Sequence, residues 1–215
     1  TLLGIAFQLY DPDHVIGEKD YIGITLALVP HTTDGIEPPT RHAPLNLAFM
    51  NGPIRGSDVF ISMDRVIGGE PNVGMGWQMM MECLAVGRGI SLPSLGTGAA
   101  KFCARMTGAY ARVREQFKRP IGEVEGVALS LARIGGLAYL CESTRMISAL
   151  AVDADTRPSV ASAIAKYHLT ELGRQAVDDA MDIHGGRGIQ MGPRNYLGFL
   201  YQSIPVCITV EGANI

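Results

Sequence analysis

The stretch Glu125-Gly-Val-Ala-Leu-Ser-Leu-Ala-Arg-Ile-Gly-Gly-Leu-Ala-Tyr-Leu-Cys141 places Val127, Leu131, Ile134, Ala138 and Cys141 four and three residues apart. That spacing lines the side chains along one face of an α-helix, and it sets the reading of most of the chain. The helix should run from about Glu123 to Asp155, with Thr156-Arg-Pro158 as a short turn and Ser159 near the next start. The following helix should reach about His184, with Leu169, Leu172, Ala176, Ala180 and Ile183 as its stripe. Gly185-Gly-Arg-Gly188 stops it, as glycine does just past a helix C-terminus. Upstream, a helix over about Gly76 to Phe117 is expected to bend near Pro93, whose missing N–H removes a hydrogen bond. Its Gly87, Gly89, Gly96, Gly98, Ala99 and Ala100 favour close packing, and Lys118-Arg-Pro-Ile-Gly122 breaks it. A short helix over Asn195 to Tyr201, then Pro205, leads to the closing segment. Short connections between long helices predict antiparallel neighbours in a bundle.

Residues 1 to about 70 read differently. Leu3, Ile5, Phe7 and Leu9 alternate with smaller or polar residues, and Ile22, Ile24, Leu26 and Leu28 do the same, a period of two that marks strands. Asp11-Pro-Asp-His14 and Gly17-Glu-Lys-Asp20 are turn chemistry between them. Val59-Phe60-Ile61 should begin a third strand, with Val66-Ile67 at its far end. Pro30, Pro38, Pro39, Pro44 and Pro53 make the segment between loop or edge. Gly68 to Gly76 lacks the Gly-Lys-Ser/Thr ending and the GxGxxG spacing of a phosphate loop, and reads as a flexible boundary. The expected fold class is therefore α+β: a partial β-domain over 1–70, then an antiparallel helical bundle over 71–215. So few strands make a poor independent core, there is no starting Met, and the end after Asn214-Ile215 is abrupt. The chain is expected to be a piece of a longer one, inactive by itself.

The composition narrows the functional classes. The chain is 47% hydrophobic with formal net charge -3, so it can bury a core and has no basic excess suited to nucleic acid. Cys83, Cys103, Cys141 and Cys207 are far apart with no CxxC pair, which argues for free thiols in a reducing compartment and against a metal framework. No apolar run here is long enough to span a membrane, and the N-terminal stretch lacks the charged region and cleavage site expected of a signal peptide. The closing Ile208-Thr-Val-Glu-Gly-Ala-Asn-Ile215 sets one carboxylate, Glu211, among apolar and β-branched residues. A carboxylate there is costly to ionise, a character that suits a general base near neutral pH. Gly212 after it allows close approach of backbone or ligand. By itself, Glu211 is better read as an ordinary glutamate facing solvent at a strand end.

Four stretches occur together and in order: Val59-Phe60-Ile61 to Gly68-Gly69, Arg114-Glu-Gln-Phe-Lys-Arg-Pro-Ile-Gly122, Asp182-Ile-His-Gly-Gly-Arg-Gly188 and Val210-Glu-Gly-Ala-Asn-Ile215. In this combination the chain resembles the acyl-CoA dehydrogenase family, and within it the large bacterial branch that opens each round of fatty-acid β-oxidation. The resemblance covers essentially the whole chain. It implies the later part of a middle β-domain and most of a C-terminal helical domain, with FAD as cofactor and α,β-dehydrogenation of a fatty acyl-CoA as the reaction. Glu211 matches the base that takes the α-proton, while the β-hydrogen leaves as hydride to FAD. Such a proton is too weakly acidic for a carboxylate in water, so the site must place donors on the thioester oxygen and expel water. In the family those donors are a flavin ribityl hydroxyl and the base's own backbone N–H. Some relatives carry the base just before the arginine of the first long helix. Here that position is Gly87, which leaves Glu211 without a competitor.

The resemblance further implies that Ala85, Val86, Gly87, Arg88 and Gly212 bind substrate. Arg88 also reads as a helix-surface arginine paired with Glu82 or solvent. Arg114, Phe117, Glu125, Asp182, Gly185, Gly186, Ala213 and Asn214 match cofactor positions, the first two reaching the FAD of a neighbouring subunit. An arginine fork suits a diphosphate, though Arg112, Arg114, Lys118 and Arg119 also fit a solvated helix end favoured by the dipole. There are departures. Lys118 stands for the usual glycine, Glu125 and Asp182 for glutamines, and Ala213 for a hydroxyl residue. The two carboxylates are unfavourable beside a diphosphate, so either the ADP half is held differently or they point away. Expected partners are an electron-transfer flavoprotein and further copies in a homodimer or homotetramer, in the cytoplasm with possible peripheral contact with the inner membrane. Two other readings stand beside this one. An acyl-CoA oxidase would consume oxygen, and a non-catalytic binding relative would carry no flavin.

Overall fold

The computed structural model describes residues 2–38, 40–47, 51–156 and 158–215; Pro39 lies outside them. Strands β1 (Leu2–Tyr10) and β2 (Tyr21–Pro30) form an antiparallel hairpin with Leu3 opposite Val29, Ile5 opposite Ala27 and Phe7 opposite Thr25. The loop between them is closed by Asp11, whose carboxylate accepts the N–H groups of Val15, Ile16 and Gly17 at 3.0, 2.7 and 3.3 Å. Those bonds, Ile16 first, hold its carboxyl below the usual carboxylate range. The period of two is as expected, but in β2 the buried face is Thr25, Ala27 and Val29, and Leu28 is exposed. Cross-strand pairing decides this. Thr25, Ala27 and Val29 share a face with Leu3, Ile5 and Phe7, and the loop residues Ile36, Ile54, Val59 and Ile61 gather around Ile5 and Phe7.

The third strand expected at Val59–Ile61 and Val66–Ile67 does not form. Asp58 takes a left-handed φ of 52° and Met63–Arg65 closes a 3-10 turn, so extended backbone is interrupted on both sides. What remains is an isolated antiparallel bridge from Val66 to Ala27, and Phe60 is 81% exposed. The Gly68–Gly76 segment is seated against β2: the Gly74 N–H donates to Thr25 Oγ1 at 3.0 Å, and a Cβ on Gly76 would stand 2.7 Å from the Ile24 carbonyl oxygen.

Helix α1 (Gly76–Val86) is followed by a π-helical turn, Gly87–Ser91, and then by α2 (Leu92–Val113). One bent helix was expected here. The break falls just before Pro93, because the proline ring excludes the carbonyl four residues back and Pro93 offers it no N–H, and the wider turn accommodates that loss. Next comes a two-strand hairpin, β3 (Glu115–Gln116) and β4 (Arg119–Pro120), with Phe117 and Lys118 at its tip. Both tip residues are left-handed, at φ 52° and 63°, as a two-residue hairpin turn requires. Lys118 thus occupies backbone that favours glycine. Helices α3 (Glu125–Asp153) and α4 (Ser159–His184) match their expected spans closely, then come α5 (Gly186–Ile189) and α6 (Gly198–Thr209). The last helix starts later than expected and continues through Pro205. The chain divides into two compact units. Leu45–Leu47 and Leu84–Ile215 form one, Thr1–Pro44 and Ala48–Cys83 the other.

The helical unit is built around Ala99, Ala100 and Cys103 of α2, Ile134, Ala138 and Cys141 of α3, and Leu169, Ala176, Val177 and Ala180 of α4. Burial pushes the Cys103 thiol up to about 12 and the Cys141 thiol to about 11, so both act as small apolar groups. Small residues let α2 and α4 touch backbone to backbone: a Cβ on Gly173 would stand 2.7 Å from the Gly96 carbonyl oxygen, and one on Gly96 would strike the Leu169 carbonyl. Arg133 Nε donates to Asp179 at 2.7 Å and ties α3 to α4.

At the far end of this pair, His184 is buried, stacked on Tyr110 with centroids 4.1 Å apart. Its Nδ1 lies 2.7 Å from the Ala180 carbonyl and its Nε2 2.6 Å from Tyr196 Oη. A carbonyl can only accept, so Nδ1–H donates to it, and the neutral Nε2 accepts from the tyrosine hydroxyl. Burial is the main cause that holds the imidazole below its ordinary value.

Two predictions follow from these contacts. In the full-length protein, Gly173→Ala should lower the urea midpoint by an amount equivalent to about 1–3 kcal/mol through overpacking. Gly98→Ala, where an added Cβ meets nothing within 4 Å, should leave it unchanged or raise it by up to about 1 kcal/mol. For His184, the unfolded chain takes up the proton first, because the folded imidazole titrates below 6.5. Stability from this group is complete above that value and is lost as pH falls through the folded pKa. Melting curves between about pH 8 and 5 should show this decline in the wild type and a flatter profile in His184→Gln.

Candidate functional site

The site is built from the C-terminal end of α6. Asn195 starts that helix: its Oδ1 accepts the N–H groups of Leu197 and Gly198 at 3.0 and 2.8 Å, and its Nδ2 donates to the Gly188 carbonyl at 2.6 Å. After Thr209 the backbone turns sharply. Glu211 takes φ 53° and Gly212 φ 92°, both left-handed. The first is costly for a residue with a Cβ and needs support from its surroundings.

The turn seats the Glu211 carboxylate on Gly87. A Cβ at Gly87 would stand 2.9 and 3.0 Å from the two carboxylate oxygens, so no larger residue fits while Glu211 keeps this position. Glu211 Oε2 is buried and has no hydrogen-bond partner among the described residues. Arg88, the next residue of the π-helical turn, packs its guanidinium on Gly212: a Cβ there would lie 3.0 to 3.3 Å from it. Its Nε is also buried and unpartnered. The alternative partner, Glu82, accepts instead from Gln78 at 3.0 Å. Ala85 lies half-buried at the end of α1, and Val86 follows it in that helix, its side chain outside the described residues.

Beneath the turn lies a residue that the sequence did not single out. Lys166 of α4 is 1% exposed. Its ammonium donates to the Ile208 carbonyl at 3.2 Å, to the Gly212 carbonyl at 2.7 Å and to Asn214 Oδ1 at 2.7 Å. Burial first, then the Arg88 cation, lowers its pKa, partly offset by Cys207, Glu171 and Glu211. Asn214 completes the connection, with Nδ2 donating to Thr170 Oγ1 at 3.0 Å and Glu171 Oε1 at 2.9 Å. Its side chain, matched above to a cofactor position, is directed onto α4, while Ala213 is exposed. The signal available in the sequence was the place of Lys166 three residues before Leu169, a lone cation on an otherwise apolar stripe.

A second cluster forms elsewhere in the helical unit. The ends of α2 and α4, the β3–β4 hairpin and the start of α3 surround an open cavity of about 680 Å³. Arg114, Phe117, Asp182, Gly185 and Gly186 all line it, together with Tyr110, His184 and Arg187. A Cβ on Gly185 or Gly186 would meet nothing within 4 Å, so this backbone is open to a ligand. Phe117 is 88% exposed at the hairpin tip. Of the two carboxylates that depart from the family pattern, Asp182 faces the cavity, whereas Glu125 is exposed at the start of α3 and is not among its lining residues. The structure therefore brings Glu211, Gly87, Arg88 and Gly212 together in one place, and Arg114, Phe117, Asp182, Gly185 and Gly186 together in another.

Solved structures share this fold. Protein HemX of Proteus mirabilis is 53% identical over 104 residues, covering 48% of this chain and 61% of its own length. The probable acyl-CoA dehydrogenase FadE10 of Mycobacterium tuberculosis is 28% identical over 170 residues, 78% of this chain and 26% of that protein. Among solved structures, an acyl-CoA dehydrogenase from Geobacillus kaustophilus superposes with TM-score 0.84 at 22% identity, over 99% of this chain and 54% of its own. An FAD complex of PigA does so with TM-score 0.78 at 20% identity, over 99% and 53%. The chain thus spans about half the length of those two structures. The family model described as acyl-CoA dehydrogenase, C-terminal domain, matches residues 74–214, more than half of the chain, and the chain belongs to the acyl-CoA dehydrogenase family.

Proposed function

We propose that the full-length protein is an FAD-dependent dehydrogenase that converts a fatty acyl-CoA thioester to its trans-2-enoyl-CoA, as in the opening step of fatty-acid β-oxidation. The observation that carries this reading is the Glu211 carboxylate, held on left-handed backbone against Gly87 with a buried oxygen that no donor satisfies. As structure alone, such an atom is a cost; as a base waiting for a proton, it is in the state the chemistry needs. Among the described residues the Glu211 N–H has no acceptor either, which leaves it free for the thioester oxygen as enolate charge develops. Arg88 adds a cation beside Gly212 that orients the thioester end, and Ala85, Val86 and Gly87 are carried over from the family as substrate-binding positions.

The second cluster fits FAD. Arg114 and Arg187 bring two cations to one cavity, the Gly185–Gly186 backbone is bare, and Phe117 and Tyr110 offer aromatic faces. Asp182 on the same wall works against a diphosphate and sets the ADP half away from its own side chain. FAD, when bound, supplies the acceptor for the β-hydrogen, which leaves as hydride while Glu211 takes the α-proton. The two clusters sit at opposite ends of α2 and α4. At about 1.5 Å per residue, that separation supports an oligomer in which the cavity of one copy serves the base of another. The exposed apolar side chains of α3, among them Leu140, Met146, Ile147 and Leu150, give such an oligomer a surface. Electrons pass on to an electron-transfer flavoprotein, and the protein works in the cytoplasm, at most peripherally at the membrane. No described helix is long and apolar enough to cross one.

In the full-length protein, anaerobic palmitoyl-CoA should bleach the flavin band, and Glu211→Gln should slow that bleaching by about 10²- to 10⁴-fold. Bleaching at equal rates in both proteins would place the base elsewhere. Oxygen uptake matching the rate of substrate consumption would identify an oxidase, and a protein that binds no flavin even in excess would be a binding relative. Arg114→Ala should weaken flavin retention on dialysis by about tenfold or more, the loss of a charge-assisted contact.

A further inference from the structure

We infer that Lys166 is a positioning residue for the base: its ammonium clamps the 208–214 turn and so keeps the Glu211 carboxylate seated on Gly87. The inference rests on the reading of Glu211 as the base. Its own support is geometric. Lys166 is 1% exposed and spends its three N–H bonds on the Ile208 carbonyl, the Gly212 carbonyl and Asn214 Oδ1. Those oxygens come from before and after Glu211, so one cation ties both sides of the residue to α4. The first is in the last turn of α6, where the carbonyl ends carry partial negative charge and favour a cation. Asn214 is fixed in turn by Thr170 and Glu171, about one turn further along α4.

Without that tie, little would hold the turn. Glu211 and Gly212 are both left-handed, and among the described residues the segment's own backbone bonds are Val210 N–H to the Val206 carbonyl and Asn214 N–H to the Ile208 carbonyl. A left-handed non-glycine residue relaxes when its surroundings release it. A buried lysine is also an expensive way to fill space, since an apolar residue on this stripe would pack without desolvating a charge. The arrangement gives the cation a specific task. It satisfies the turn's carbonyl oxygens and stands near Glu211, yet leaves Oε2 of the carboxylate unpartnered, free to receive a proton from substrate.

The test uses the full-length flavoprotein. Lys166→Met keeps the length of the side chain and removes the ammonium; Asn214→Ala removes one acceptor and leaves the lysine. Hydrogen exchange should rise in both variants, confined to amides 208–214. The limiting rate of anaerobic bleaching by palmitoyl-CoA should fall, by roughly 10- to 100-fold in Lys166→Met for a displacement of order 1 Å and by less in Asn214→Ala. Flavin content and the half-saturating palmitoyl-CoA concentration should stay near wild type, and the isotope effect with α-deuterated substrate should grow as proton removal becomes slower. A wild-type limiting rate in either folded variant overturns the inference, as does unchanged exchange over 208–214. A loss expressed only in substrate affinity or flavin content also overturns it, because that marks a structural or binding role. Wild-type protein that Glu211→Gln leaves equally active removes the reading beneath it, an outcome separate from the behaviour of the Lys166 and Asn214 variants.

Discussion

The contact between Gly96 of α2 and Gly173 of α4 governs how the helical unit is put together. With no side chain between them, the two backbones meet, and the neighbouring elements inherit that spacing. The pairs Gly89 with Ser162, Gly96 with Gly173 and Tyr110 with His184 show that α2 and α4 run the same way. This is the necessary result when α3 returns between them. One end of the pair then carries Lys166 and the π-helical turn with Gly87 and Arg88. The other carries the stacked Tyr110–His184 pair and the cavity with Arg114 and Gly185–Gly186. A larger residue at either glycine would separate the helices and loosen both ends at once.

Most of this bundle was legible in the sequence because it rests on periodicity. The stripes of α3 and α4 are long, regular and bounded by strong stop signals, so their spans came out within a few residues. The β-piece was legible as strands but not as faces. Ile24, Leu26 and Leu28 are more apolar than Thr25 and Ala27, yet the latter are buried, because cross-strand partners and covering loops choose the face. The absent third strand has the same origin. Val59-Phe60-Ile61 has the composition of a strand, but a strand needs a partner edge, and left-handed Asp58 with the turn at Met63–Arg65 leaves only the Val66 bridge.

The candidate site was legible where glycine marks it and hidden where a buried charge does. Gly87 and Gly212 stood out because their motif contexts did, and the structure gives each a steric reason: one is roofed by the carboxylate, the other by the Arg88 guanidinium. Lys166 was hidden because a lysine on a helix is nearly always solvated by default. Nothing local says that the carbonyls of a turn more than forty residues away will converge on it. His184 was read as a helix end for a similar reason; its role depends on Tyr110 and Tyr196, which only the fold brings to it.

These buried polar groups share one logic. Lys166, Asn214 and His184 each find partners for their buried polar atoms. Lys166 meets its acceptors, Asn214 is bonded through both ends of its amide, and the loop they hold is strained at Glu211. The atoms left without partners among the described residues of this cluster are Glu211 Oε2 and Arg88 Nε. Around the turn, the buried side-chain polar atoms of the described residues are satisfied except for one acceptor against Gly87 and one donor of the guanidinium against Gly212. Under the function proposed above, that asymmetry is what proton abstraction needs: a rigid surround that costs stability to build, and a carboxylate still open to a partner.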